Sequence, residues 1–156
     1  MMKNIIVFTM ILVVSLSSQE LRVKANSFKA DEKSGISIFN GDVNVIKGSD
    51  ELNASVVTIH TDKNHKPTQF IAKGDVSFFI ATKNKSLYSG EAQKVIYLPK
   101  KKEYHFFGNV HLRQLNEKKE IIGNEVVLKT TDGKAYAKGQ KSGPVIMIFD
   151  IDEEEN

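Results

Sequence analysis

The sequence predicts an all-β protein, a stack of antiparallel strand pairs folded over along its length around one apolar face. Three observations carry this. Val, Ile, Phe, Tyr and Thr are plentiful, while only 3 Pro and 10 Gly occur. Apolar residues recur at period two in short runs bounded by polar turns. The chain also repeats itself, with Gly41, Gly74, Gly108 and Gly139 spaced 33, 34 and 31 residues apart.

Length and composition limit the rest. A chain of 156 residues is enough for one domain with a real core and too short for two ordinary ones. Lys and Arg exceed Asp and Glu by 22 to 19, an excess too small and too dispersed for a nucleic-acid stripe. Cysteine is absent, which excludes a disulfide framework, an iron–sulfur cluster, a thiolate zinc site and a thiol nucleophile.

Taken in order, Met1–Asn4 carries one positive charge, Ile5–Val14 is an uncharged run, and Ser15-Leu16-Ser17-Ser18 follows. This is the pattern of a secretory signal peptide, with cleavage expected after Ser17. The twelve residues from Ile5 to Leu16 fall short of the roughly 20 that a spanning helix needs. A retained anchor is the competing reading. An exported chain without cysteine must hold together by packing and sheet hydrogen bonds alone.

Two strand modules then alternate. The first is Phe39-Asn40-Gly41-Asp42-Val43-Asn44-Val45, recurring at Ile71–Phe78 and Phe106–Leu112, with a decayed fourth copy at Tyr136–Gln140. Gly41, Val43 and Val45 fall on one face, and Asp42 and Asn44 on the other. The second module runs Val23-x-Ala25-x-x-Phe28-x-Ala30, then Leu52-x-Ala54-x-x-Val57-x-Ile59, with further copies at Gly90–Tyr97 and Ile121–Leu128. Ala54 and Val57 are three apart, so keeping both inside requires a bulge or corner between them. Four slips at one place predict a sheet bent along one line, with small residues (Ala25, Ala54, Ala92, Gly123) at the fold. Phe28, Phe39 and Phe70 are expected inside. Turns are predicted at Asp31–Gly35, Lys47–Asp50, Asp62–Pro67, Thr82–Lys85, Pro99–Glu103, Leu115–Lys119 and Thr131–Gly133. The Lys100-Lys101-Lys102 triplet reads as a solvated turn, and Asp150–Asn156 as an acidic flexible tail. The domain is therefore expected over 18–149.

Catalytic chemistry finds no foothold. His105 and His111 share a face but lie roughly 20 Å apart along a strand, too far for a common metal. Asp42 and Asp75 occupy equivalent repeat positions beside a glycine, which points to turn geometry rather than a carboxylate dyad. No nucleophile elbow, glycine-rich phosphate loop or His-Glu-x-x-His occurs. The reading is of a non-enzyme with no catalytic residue, metal or cofactor.

The Gly-Asp/Asn-Val copies at Phe39–Val45, Lys73–Phe78 and Phe107–Leu112, each coupled to a Leu/Gly-x-Ala-type strand, resemble the OstA-like repeats of the LptA/OstA-like family of periplasmic lipopolysaccharide transport proteins. The resemblance covers Glu20 to about Gly139 and implies a β-jellyroll, also described as a β-taco: about sixteen antiparallel strands in an open V with an apolar inner groove. It implies a periplasmic bridge that binds the lipid A acyl chains of lipopolysaccharide, stacks head to tail on copies of itself, and joins an inner-membrane LptC-like anchor to an outer-membrane LptD-like translocon. Inward positions of the facing sheets are expected to carry the lipid: Val45, Leu52, Val57, Ile59, Phe78, Tyr97, Phe106, Val110, Leu112 and Leu128. A charge placed inside, as in Leu112→Asp or Phe78→Asp, is expected to abolish lipid binding. The chain departs from the pattern in its fourth copy, where Lys141 stands in place of an expected Val and Pro144 follows. Three other readings remain: a membrane-anchored LptC-like partner of the same fold, a structural β-repeat adaptor that assembles by its edges without lipid, and a closed eight-stranded lipid-binding barrel.

Overall fold

The strands are long because each long run carries a single module, and with it one apolar face, across the fold line without a helix-period interruption. In the computed structural model, which describes residues 20–141 and 143–151, they are β1 Leu21–Lys24, β2 Ser27–Asp31, β3 Ile36–Lys47, β4 Asp50–Thr61, β5 Pro67–Ala81, β6 Leu87–Leu98, β7 Glu103–Gln114, β8 Lys119–Lys129, β9 Ala135–Lys138 and β10 Ile146–Phe149. They form one antiparallel sheet in which β3 to β8 are neighbours in chain order. All seven expected turns fall between strands. The expected signal segment 1–17 and most of the acidic tail lie outside the described residues.

Each long strand passes through two leaves. Its ladder breaks where it crosses, between Asn40 and Val43 on β3, Lys73 and Val76 on β5, and Phe107 and Val110 on β7, and the β4–β5 ladder has a further irregularity between His60 and Thr61. One leaf contains β2, the first halves of β3, β5 and β7, the second halves of β4, β6 and β8, and β9. The other contains β1, the complementary halves and β10. β1 and β2 bind the two halves of β3, and β10 and β9 the two halves of β8, so the ten strands trace eight two-leaf passes. The outer strands do not pair with each other, which leaves the sheet open at both edges.

The bend has a local cause that differs from the sequence expectation. Ala54 and Val57 are both buried, as the phase slip requires. The extra residue, however, sits in the first module: Gly41 and Asp42 together oppose Ser55 alone. The same two-against-one arrangement recurs at Gly74-Asp75 and Gly108-Asn109. All six residues are left-handed, at φ 83 and 45, 86 and 45, and 78 and 45. Gly adopts that conformation freely, and Asp and Asn are the side chains that tolerate it best. A side chain on Gly74 would lie 2.6 Å from Ser55 Oγ, and Asn26 and Gln93 crowd Gly41 and Gly108 in the same way. The repeated Asp/Asn is therefore a backbone device. The fourth copy lacks it: residues 139–145 separate β9 from β10, and Gly139 does not take a positive φ.

The core lies between the leaves. Val76, Phe106, Val110, Val126 and Leu128 are fully buried, with Ile80, Val43, Val57, Val95 and Leu112 nearly so. Their neighbours along each strand, such as Lys73, Ser77, Glu91 and Asn109, face solvent. Phe28 departs from expectation at 64% exposed. It lies on edge strand β2, which pairs only with β3, so no neighbour covers its outer side, and its ring stacks on Phe39 at 5.4 Å.

Candidate functional site

The leaves do not pack equally along their length. Toward the β7–β8 side they are tightly filled, and Phe106, Val110, Leu112 and Leu128 have no more than 1% exposure. Toward the β1–β3 edge they part around an apolar cavity of about 40 Å³. Val45, Leu52 and Phe78 line it from one leaf and Val57 and Tyr97 from the other, so five of the ten groove positions expected from sequence meet there. Ile59, Phe106, Val110, Leu112 and Leu128 point into the same interior but are packed against other side chains instead of facing the cavity. The set expected to carry the lipid left out Leu21, Phe70, Ile80, Val95 and Tyr104, which also line it. Phe70, Ile80 and Val95 were legible as inward positions at period two. Tyr104, two residues before Phe106, shares its face at the same period but lies ahead of the repeat motif.

An aromatic series runs from the wall of this space into the packed core. Phe70 faces Tyr97 at 6.0 Å, Tyr97 faces Tyr104 at 4.4 Å, Tyr104 faces Phe106 at 6.1 Å, and Phe106 meets Phe78 from the other leaf at 4.4 Å. Phe70, Tyr97 and Tyr104 stand opposite one another on adjacent strands, the geometry in which cross-strand aromatic pairs add to sheet stability.

A polar clasp closes the mouth above the cavity. The β3–β4 turn contributes Lys47 and Asp50 from one leaf, and the β6–β7 hairpin contributes Tyr97 and Tyr104 from the other. Lys47 Nζ donates to Tyr97 Oη at 2.7 Å and sits 4.1 Å from that ring's centroid. Tyr104 Oη donates to Asp50 Oδ2 at 2.7 Å. Asp50 Oδ1 accepts from the Ala81 amide at 3.0 Å, and its other oxygen lies 4.0 Å from Lys47 Nζ. A third link runs from the Lys83 amide to the Thr130 carbonyl at 3.0 Å. Burial pushes the Tyr104 hydroxyl well above the usual tyrosine range, and the Asp50 carboxylate beside it pushes the same way.

Outside the clasp lies a second, polar cleft of about 410 Å³. Lys47, Lys83 and Lys102 line it together with Asp50, Thr82, Thr130 and Thr131. Lys102 belongs to the triplet read as solvated turn. Nothing local marks it, since the three lysines come from three different turns and meet only through the fold.

The histidines stand apart from both spaces. His105 Nε2 lies 3.0 Å from Glu103 and His111 Nε2 3.6 Å from Glu120, each on the outer face. The hydrogen bond from His105 holds the Glu103 carboxyl below the usual carboxylate range.

A repeat sheet folded into two leaves, apolar between them and polar outside, is a β-jellyroll. The chain belongs to the LptA/(LptD N-terminal domain) LPS transport protein family, whose profile matches residues 22–134. Among curated proteins it is similar to the lipopolysaccharide export system protein LptH of Pseudomonas aeruginosa, at 44% identity over 46 residues. That match spans 30% of this chain and about a quarter (26%) of the relative's length. Among solved structures it is similar to crystalline LptH from Pseudomonas aeruginosa, described as the LptA-homologous periplasmic component of the conserved lipopolysaccharide transport device. That likeness has a TM-score of 0.75 at 21% identity and covers 85% of this chain and 96% of the other. It establishes the fold.

Proposed function

We propose that this protein is a periplasmic bridge that shields the acyl chains of lipid A as lipopolysaccharide moves from the inner to the outer membrane. The observation that carries the reading is the apolar, aromatic-walled cavity between two leaves of an open sheet. Membership of a lipopolysaccharide transport family supports it. Residues 1–17 act as a cleaved export signal in this reading, and their short uncharged run supports that role.

Magnitudes favour a carrier that opens. A cavity of about 40 Å³ is far below the roughly 300–1,000 Å³ of ordinary ligand pockets, so an acyl chain must part the leaves. Breaking the three clasp links costs about 4 kcal/mol, counting the charged ones near the lower end for partial exposure. A chain of about fourteen carbons gains roughly 10 kcal/mol on full burial, at about 0.8 kcal/mol per CH2. One chain therefore outweighs the clasp, and the trough closes again when the lipid leaves.

The open edges suit serial transfer. β1 and β2 end the sheet on one side, and β9 and β10 on the other. Ile146, Met147, Ile148 and Phe149 of β10 are all about half exposed. Such edges accept further strands, and edge-to-edge contact between unlike ends propagates head to tail. In this reading the partners are copies of the same chain, an LptC-like anchor and an LptD-like translocon.

Native mass spectrometry of delipidated protein with added lipid A tests the proposal. An adduct of lipid A mass and a ladder of oligomers are expected. A folded protein that takes up no lipid at any concentration leaves a structural adaptor as the better account.

A further inference from the structure

The clasp residues Lys47, Asp50 and Tyr97 line both spaces, the apolar cavity within and the polar cleft outside. They form a partition between a compartment suited to hydrocarbon and one suited to charge. The outer cleft, at about 410 Å³, is roomy, and its charged lining is three lysines against one aspartate. The Ser49, Thr82 and Thr131 hydroxyl groups also line it, while the Thr130 hydroxyl is spent on the Lys102 carbonyl. Asp50 is already engaged by Tyr104, by the Ala81 amide and at longer range by Lys47, so its charge is turned toward the clasp. Lys83 and Lys102 are exposed and form no side-chain ion pair among the described residues. The backbones that carry them are fixed: the Lys83 amide donates to the Thr130 carbonyl, and the Lys102 carbonyl accepts from the Thr130 amide and hydroxyl at 3.0 and 2.9 Å. One network thus anchors the two turns that carry these uncommitted ammonium groups, in the cleft across the clasp from the apolar cavity.

We infer that this cleft is the seat of a phosphate group carried by the amphiphile whose chains enter the cavity, with Lys83 and Lys102 as its primary contacts and Lys47 shared with the clasp. The inference rests on the lipid-carrier reading above and deepens it by assigning the headgroup. A phosphate arriving in the cleft competes with Tyr97 and Asp50 for Lys47, so the charged end of the ligand weakens the clasp that its chains must pass. Ammonium groups act here as point charges that tolerate varied phosphate positions, which suits a ligand in transit.

The test uses purified protein with two probes, phosphorylated lipid A and the same lipid A after removal of its phosphates, and with inorganic pyrophosphate as a third. Lys83→Gln and Lys102→Gln sit in exposed turns and leave the clasp side chains in place. Each is expected to weaken binding of the phosphorylated lipid about fivefold, and the pair about 25-fold, as for lysines near an anionic lipid surface. The phosphate-free lipid is expected to bind wild type and variants alike, and only the phosphorylated lipid should lose affinity with added salt. Equal losses for both lipids, or no loss for either, overturn the headgroup seat while leaving the carrier reading intact. Failure of wild type to bind either lipid overturns the carrier reading and the seat together. Saturable pyrophosphate binding that the two variants abolish, alongside lipid affinity indifferent to phosphate, assigns the cleft to a free anion and overturns the proposal.

Discussion

Replacing Tyr104 by Phe removes one hydroxyl from the clasp and almost nothing else. The ring stays in its place between Tyr97 and Phe106, and Asp50 keeps the Ala81 amide at 3.0 Å and Lys47 at 4.0 Å. No buried charge is orphaned, so the loss is the hydrogen bond itself, about 2 kcal/mol for a neutral donor on a carboxylate. In a domain of this size that lowers Tm by about 8 °C. Asp50→Ala removes all three contacts at once and costs more, and a double-mutant cycle between the two isolates a coupling of at least about 1 kcal/mol. The pH dependence gives an independent arm. The folded-state value of Tyr104 lies above the ordinary 10.0, so the folded protein holds this proton more tightly than the unfolded chain does. Its contribution is fully present below about pH 10 and is lost as pH rises through the folded value. Thermal melts from pH 8 to 12 should show an alkaline decline in wild type that is smaller in the Phe variant. A Tyr104→Phe protein melting within about 1 °C of wild type, with the same alkaline decline, refutes the clasp.

Other outcomes follow from the same geometry. Gly74→Ala forces a side chain into a left-handed position with Ser55 Cβ only 2.7 Å away, and should cost about 2–3 kcal/mol in denaturant melts, whereas Ser77→Ala on the outer face should cost little. Phe106→Ala empties a fully buried site and should cost about 3–5 kcal/mol. Leu112→Asp, with Leu112 at 1% exposure, buries an unpaired charge and should unfold the domain, seen as lost strand circular dichroism. Leu52→Asp at the half-buried cavity wall should keep the fold and lose lipid A binding in the native mass spectrum. That variant is the cleaner test of the groove.

The repeat motif made the architecture legible because strand physics is local. Period-two patterning marks which side of each strand faces inward, and turn-forming residues mark where each strand ends, so the seven turns and the line of bending could be placed without coordinates. The bend itself was half read. The Ala54–Val57 slip was visible, yet its cause is the left-handed pair Gly41-Asp42 on the neighbouring strand, which alternation of side chains does not report.

By itself, then, the sequence determined strand content, repeat register, the inward set apart from Phe28, and the family. Only the tertiary structure decided how closely the two leaves approach, and hence that Val45 and Leu52 line a cavity while Phe106 and Leu128 are sealed in the core. It also decided the clasp, whose partners Lys47 and Tyr97, and Asp50 and Tyr104, are 50 and 54 residues apart in the chain. The physical reason is the same for both. Alternation assigns a side chain to a face, but the spacing of facing sheets is set by the summed volumes and twist of many strands, and contacts across a gap have no signature in the local pattern.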